Sequence, residues 1–315
     1  MNIVWVMLGG LVLEAMFGWP NVLDKRVGHP VRWFGWLVSR TERLANRESV
    51  GRTARIVLGG MTSIALILTA TCAGAAAHAL APEGWAGYLL QSVIAASLIA
   101  SRSLHDHVAA VAHAFSQDGL PAARAALGMI VGRDTQSLDE HGIARAAIES
   151  LAENTSDGVT APLFWGALFG LPGLFAYKAI NTLDSMIGHR SPQFEAYGKL
   201  AARLDDLVNL VPARLTGLLF GLVSWSQTSI TVMLRDASLH RSPNAGWPEA
   251  AMAGALRTRL SGPRDYGDGI ANEPWLNAAG CDPSMADLAR ALALYRYAIA
   301  VTGLCLLALG WVASQ

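Results

Sequence analysis

Apolar stretches long enough to enter a membrane alternate along this chain with short polar clusters. Residues 1–18, 56–80, 87–101, 159–180, 207–234 and 297–312 are apolar. Segments of that length read as helices that cross or enter a bilayer. Two of them carry interruptions: Glu14 lies in the first, and Gly170-Leu171-Pro172-Gly173 lies in the middle of the fourth, where glycine and proline break a helix. The fourth is therefore expected to be a broken or re-entrant hairpin. It would return Lys178 and Asn181 to the side that carries Glu153 and Asp157, since irregular backbone at membrane depth is tolerated where protein or a water-filled cavity covers it. The pattern predicts an all-α, polytopic integral membrane protein. Residues 1–315 are read as a single membrane-embedded domain with polar helices and loops at the cytoplasmic face.

The polar clusters concentrate between Gly132 and Arg214. Glu149, Glu153 and Asp157 are each four residues apart and would line one helix face, while Lys178, Asn181 and Ser185 would line another. Acids stacked at that spacing repel one another unless cations or a metal neutralise them, and Arg133, Lys178, Arg203 and Arg214 are the protein's candidates. His105 and His107 invite a metal reading, but His-x-His on a helix points the two rings to different faces. They and His113 are expected to serve packing or the surface. His29, held extended before Pro30, suits either a ligand-facing loop or a plain turn.

Composition agrees with the pattern. Of 315 residues, 52% are hydrophobic and only 15% are charged. The mean hydropathy of +0.34 exceeds that of an ordinary soluble domain. The 24 basic and 24 acidic side chains balance, which leaves no electrostatic footprint for nucleic acid. Eight Lys/Arg lie between Lys25 and Arg55, which places that region in the cytoplasm, and the linker 81–86 has no Lys or Arg, as an outside loop should. Beyond residue 158 the topology stays open, because simple parity puts 235–296 outside while its seven arginines favour the inside. Cys72, Cys281 and Cys305 are scattered and odd in number, so buried, inert thiols are expected rather than a disulfide framework. Residues 1–13 lack a basic n-region, so no cleavable signal is expected.

Three runs are more specific than any of these patterns: ESLAENTSDGVTAP (149–162), YKAINTLDSMIG (177–188) and ARLDDLVNLVPAR (202–214). They closely resemble signature segments of the adenosylcobinamide-phosphate synthase family, also called the CobD/CbiB cobalamin biosynthesis proteins. The block from Ser242-Pro243-Asn244-Ala245-Gly246 to Leu256 and the His29-Pro30-Val31 block are similar to further family segments, and the resemblance extends over nearly the full length. Upstream of His29 the chain departs from the family, with Glu14 and Gly18-Trp19-Pro20 where the family usually has Asp and Gly-Asp-Pro.

Gathered around one pocket, these groups would suit a substrate rich in carboxylate or phosphate. Arginines bind such anions bidentately and Lys178 supplies a point charge. Asp184, Asp205 and Asp206 offer hard oxygen ligands for Mg2+, which bridges protein carboxylates to nucleotide phosphates. Adjacent Asp205 and Asp206 cannot face the same way on a helix, so one is expected toward the metal and the other toward an arginine or a helix terminus. Neither a Walker-type loop nor a dinucleotide fingerprint is present.

The resemblance implies amide formation between adenosylcobyric acid and aminopropanol phosphate (or ethanolamine phosphate), driven by ATP with magnesium, to give adenosylcobinamide phosphate. Glu153 or Asp157 is the candidate general base, with Lys178 beside them. Asn154, Asn181, Asn209 and Asn244 would hydrogen-bond corrin amides or phosphate oxygens, and His29, Arg133, Arg203, Arg214 and Ser242 complete the binding set. The implied location is the bacterial cytoplasmic (inner) membrane, multi-pass, with the active site on the cytoplasmic side. The implied partners are the corrinoid, the amino-alcohol phosphate and membrane lipid; association with other membrane-bound enzymes of the pathway, or with a second copy, stays open. Three rival readings are a membrane transporter, a magnesium-dependent membrane phosphotransferase and a non-catalytic scaffold. The transporter is disfavoured by the lack of an inverted repeat.

Overall fold

A computed structural model describes residues 2–47, 49–132, 134–265, 270–271 and 273–315. It is helical almost throughout: α1 Ile3–Phe17, α2 Asn21–Arg26, α3 Pro30–Ala45, α4 Arg52–Ala79, α5 Trp85–Ala96, α6 Ser101–Leu127, α7 Glu140–Thr155, α8 Ala161–Ile187, α9 Lys199–Val208, α10 Leu210–Ser224, α11 Gln227–Asp236, α12 Gly246–Leu256 and α13 Met285–Val312. Among the described residues, three helical runs are long and apolar enough to cross a membrane, Arg52–Ala79, Glu140–Ile187 and Met285–Val312, and the count reaches five only if each of two bent helix pairs is one span. The chain is an all-α polytopic membrane protein.

Gly-x-Pro corners set several of the turns between helices. Gly18, Gly119 and Gly170 share one backbone conformation, with φ of 59°, 75° and 66° and ψ of −163°, −160° and −154°. Each is followed two residues later by proline, at 20, 121 and 172. Glycine takes the positive φ that ends a helix without a Cβ clash, and proline then starts the next helix, where its missing N–H is no loss. At Gly170 the result is a chain reversal. A Cβ on Gly173 would stand 2.5 Å from the carbonyl oxygen of Trp165, whereas residues eight apart in a straight helix are separated by about 12 Å. The expected break at 159–180 is thus a tight helical hairpin.

Other segments differ from the sequence reading. The stretch 87–101 is the 12-residue α5, about 18 Å long and shorter than the roughly 30 Å hydrocarbon core. The stretch 207–234 is divided between α10 and α11 at Trp225, whose φ is 50°. The basic region after His29 is the amphipathic α3. Between α12 and α13 the chain forms short antiparallel pairs, Leu260–Ser261 (β1) with Trp275–Leu276 (β4) and Arg264–Asp265 (β2) with Ile270–Ala271 (β3). The three cysteines are exposed and free, against the expectation of burial, and Cys72 and Cys305 lie on the long apolar helices α4 and α13.

The residues group into two compact units, 1–100 with 161–209 and 305–315, and 101–160 with 210–304. In the first, α4 runs along α8, with Gly74 against the backbone of Leu171 and Pro172. Gly9 and Gly10 of α1 meet Ser92 and Ala95 of α5, the small-residue contact that lets helices approach closely in lipid. Val38, Leu66, Leu183, Ile187, Tyr197 and Ala201 form a core beneath α3, α4 and α9. In the second unit, α7 and α12 are buried on nearly every face. Leu127, Ile148, Leu151, Phe220, Met252, Leu288 and Tyr295 fill the core around them.

Candidate functional site

The first unit assembles a polar network where the end of α8 meets α9. Tyr177 donates its hydroxyl to Asn209 Oδ1 at 3.0 Å, and Asn209 Nδ2 donates to Asp205 Oδ2 at 2.9 Å. Asn209 is 1% exposed and caps α9, its backbone N–H donating to the carbonyl of Asp205. Asn181 lies beside Asp205, and Asp184 is within electrostatic reach of both Asp205 and Asp206. The other oxygen of Asp205, Oδ1, is buried with no hydrogen-bond partner among the described residues. Asp206, one helical step on, sits near Arg203 and Arg190. Adjacent acids on α9 therefore part, one toward amides and the other toward guanidinium groups, as a rotation of about 100° per residue requires.

Local structure fixes these positions. Trp165 Nε1 donates to the carbonyl of Val208, tying the first arm of the α8 hairpin to the end of α9. The segment 188–198 that brings α9 back is held by Asn46, whose Nδ2 reaches Glu42 Oε1 (2.8 Å) and the Gln193 carbonyl (3.0 Å), and by Arg52 on Glu195 at 2.7 Å. That guanidinium holds the Glu195 carboxyl below the usual carboxylate range. Two glycines are demanded by close approach: Gly198 faces the Ile187 carbonyl, and Gly188 lies directly over the carboxylate of Asp184.

His29 takes a specific structural role here. Its Nδ1 accepts from Val31 N at 3.2 Å and so caps α3, its ring meets Trp19 edge to face at 4.9 Å, and Lys178 is its charged neighbour. Lys178, Asn181 and Asp184 are half-buried, while Arg203 is exposed.

The second unit holds the remaining candidates. Glu149 is 6% exposed, and its Oε1 accepts from the backbone N–H of Ser261 at 2.6 Å. Glu153 is exposed and Asp157 half-buried in a π-helical turn, 156–160, that ends α7. That turn changes the helical pitch, so the three acids spaced by four do not form one uniform face. Asn154 Nδ2 turns back onto Ser150, 2.9 Å from its carbonyl and 3.2 Å from its hydroxyl. Arg214 lies 4.3 Å over the Trp247 ring and donates to the Leu210 carbonyl at 2.7 Å. Ser242 Oγ accepts from Asn244 N and Ala245 N, both at 3.2 Å, and Asn244 is buried. Arg133 lies outside the described residues.

Some participants were not singled out in the sequence. Tyr177, Gly188, His189 and Arg190 surround the α8–α9 acids. In the second unit, His240 Nε2 faces Glu249 Oε2 at 3.8 Å, both side chains buried. Trp275 lies 4.6 Å from the Arg145 guanidinium and 4.5 Å from that of Arg259, and both arginines pair with Asp282. Arg259 binds it through two nitrogens and holds its carboxyl below the usual range. Tyr177, Gly188, His189 and Arg190 occur within or just after the run 177–188 and were findable there; the Trp275 cluster has no local signal.

Among the described residues, no three His, Cys, Asp or Glu side chains converge as a metal cage. Magnesium held through one or two carboxylates and substrate phosphates needs no such cage. The orphaned Oδ1 of Asp205, with Asp184 close by, is a donor set of the hard, anionic kind that this ion takes.

The family profile described as CobD/Cbib protein matches residues 7–295. The chain belongs to the CobD/CbiB family. Members similar to it include "Cobalamin biosynthesis protein CobD" of Rhodobacter capsulatus, 55% identical over 301 residues and 95% of each chain. Proteins of the same name from Brucella suis (47% over 294 residues, 90% of each) and a Sinorhizobium species (48% over 287 residues, 89% of each) are also similar. No solved structure matches.

Proposed function

We propose that this CobD/CbiB protein acts in cobalamin biosynthesis as an adenosylcobinamide-phosphate synthase. It joins adenosylcobyric acid to aminopropanol phosphate, or ethanolamine phosphate, by an ATP-driven amide bond at the cytoplasmic side of the inner membrane. Family membership and the names of the relatives support the pathway. The observation that carries the catalytic reading is Asp205, a carboxylate with a buried, unpartnered oxygen beside a second carboxylate and two asparagines. Burying such a group costs several kcal/mol unless something compensates. A fold keeps that arrangement where a cationic ligand completes it.

Asp184 and Asp205 would hold Mg2+ jointly with the nucleotide phosphates, and Asp206 would hold it or orient Arg203. Bound there, magnesium supplies charge neutralisation at the phosphates. Asn209 fixes the orientation of Asp205, and Tyr177 fixes that of Asn209. Lys178, half-buried at the same end of α8, offers a point charge to an anionic substrate group. In the reaction the corrinoid carboxylate takes the γ-phosphoryl group of ATP, and the amine then displaces phosphate, leaving the amide, ADP and phosphate. Glu153 or Asp157 is assigned the proton of the attacking ammonium. Arg203, Arg214, Ser242 and Asn244 are assigned to binding.

The test is incubation of purified protein in detergent with adenosylcobyric acid, aminopropanol phosphate and Mg-ATP, followed by mass analysis of the corrinoid and assay of ADP. The reading expects a corrinoid heavier by aminopropanol phosphate less water, with ADP released in equal amount. An unchanged corrinoid would reject it. Detergent abolishes any gradient, so product also separates the enzyme from a transporter.

A further inference from the structure

α3 divides its surface three ways. At about 100° per residue, Gly35, Val38 and Glu42 share one side. Val38 is buried in the core of the first unit, Glu42 is buried, and Gly35 meets Met186. Trp33, Leu37 and Leu44 fall within about 40° of one another on a second side, and all three are exposed, at 50%, 37% and 57%. Arg32, Arg40 and Arg43 occupy a third sector next to that apolar one, with Trp36 among them at 64% exposure. Arg32 pairs with Asp24, but Arg40, Arg43 and the following Arg47 have no ion-pair partner among the described residues.

A helix whose apolar and basic sectors both face outward, side by side, fits a plane where hydrocarbon meets anionic charge. The direction of α3 agrees. The segment Val22–Ala45 stands at 93° to α1, whose one charged residue is the buried Glu14, so if one follows the membrane normal the other lies in its plane. Trp33 donates its indole N–H to the Val27 carbonyl at 2.8 Å and so presents its apolar body outward. Val22, Leu23 and Val27 of the preceding turn and α2 extend the exposed apolar surface. The charge is local: eight Lys/Arg lie between residues 25 and 55 against the two acids Glu42 and Glu48, in a chain whose net charge is zero.

We propose that α3 lies flat in the membrane interface, with Trp33, Leu37 and Leu44 among the acyl chains, and that Arg40, Arg43 and Arg47 bind the phosphates of anionic phospholipids. This does not depend on the reaction assigned above.

Two measurements on the full chain test it. With the native cysteines replaced by serine, spin labels at Leu37→Cys and Arg40→Cys in phosphatidylcholine/phosphatidylglycerol vesicles report depth. The label at 37 is expected to be relaxed mainly by oxygen and the label at 40 mainly by a water-soluble nickel chelate. Equal exposure of both labels to the chelate would overturn the placement. Native mass spectrometry from an equimolar mixture of the two lipids then reads headgroup choice. The wild type is expected to retain the anionic lipid at least fivefold over the zwitterionic one, since a basic residue at such a surface is worth about fivefold. The preference should vanish in R40Q/R43Q/R47Q and weaken in wild type at high salt. Equal retention of the two lipids by wild type, or an undiminished preference in the triple variant, would overturn the headgroup assignment.

Discussion

Gly188 gives the sharpest lever on the α8–α9 acids, because it perturbs Asp184 without touching its charge. A methyl group there would stand 1.9 Å from Asp184 Oδ1 and 2.7 Å from the Asp184 carbonyl oxygen. Restoring van der Waals separation requires the carboxylate to retreat by about 1.5 Å or more. The carbonyl cannot follow, since it accepts the Gly188 N–H at 2.8 Å in the last turn of α8. Overpacking of this kind typically costs about 1–3 kcal/mol of stability, and a misplacement of about 1 Å at a catalytic group costs about 100-fold in rate. Gly188→Ala is therefore predicted to keep the chain folded, with a modestly lower melting temperature, and to form corrinoid product about 100-fold more slowly. Gly51→Ala is the control: nothing lies within 4 Å of its added methyl, and as an N-cap it should change stability by no more than about 1 kcal/mol. Product formed by Gly188→Ala at the wild-type rate would show that the position of Asp184 is irrelevant to turnover.

The second unit offers two further checks. Glu149→Ala removes the acceptor of the buried Ser261 N–H and is expected to destabilise by about 1–3 kcal/mol; Glu149→Gln, which keeps an acceptor, should recover most of that in a thermal melt, and equal melts for both variants would refute the structural role. Asp282 has its carboxyl held low chiefly by the hydrogen bonds of Arg259, so the unfolded chain takes up its proton first as pH falls. The stability that this pair contributes is complete above the unfolded pKa of about 3.9 and is lost below it. Melting curves of wild type and Asp282→Asn should differ at pH 7 and converge as pH drops through about 4 and below; a constant gap would contradict the pairing.

Some of this was legible in the sequence because its cause is local. Gly170-Leu171-Pro172 dictates a broken helix wherever it occurs, and Gly18 and Gly119 obey the same rule. The polar residues of α8 and α9 stand out because charge is scarce in so apolar a chain. Their grouping did not follow from spacing, since it depends on how 188–198 folds back through Asn46, Gln193 and two bare glycines. Glu149, read as one of a row of like acids, finds its partner 112 residues away on a two-residue strand too short to leave a periodic trace. His29 reads equally as a ligand loop or a turn in sequence, because the bond by which its ring nitrogen caps α3 depends on the rotamer its neighbours impose. Cys72 and Cys305 are exposed although their neighbours in sequence are apolar, because an apolar neighbourhood in a long helix does not imply a protein interior.

Asp205 keeps a buried, unpartnered carboxylate oxygen for chemistry at the expense of stability, and Asp205→Asn examines that directly. The amide preserves the volume of the side chain and removes a charge that has one oxygen buried without a partner, so the purified variant should melt at or above the wild-type temperature. Given adenosylcobyric acid, aminopropanol phosphate and Mg-ATP, it should form the heavier corrinoid at least 100-fold more slowly than wild type. A variant that is equally stable and makes product at the wild-type rate would contradict the claim that this network is the catalytic centre.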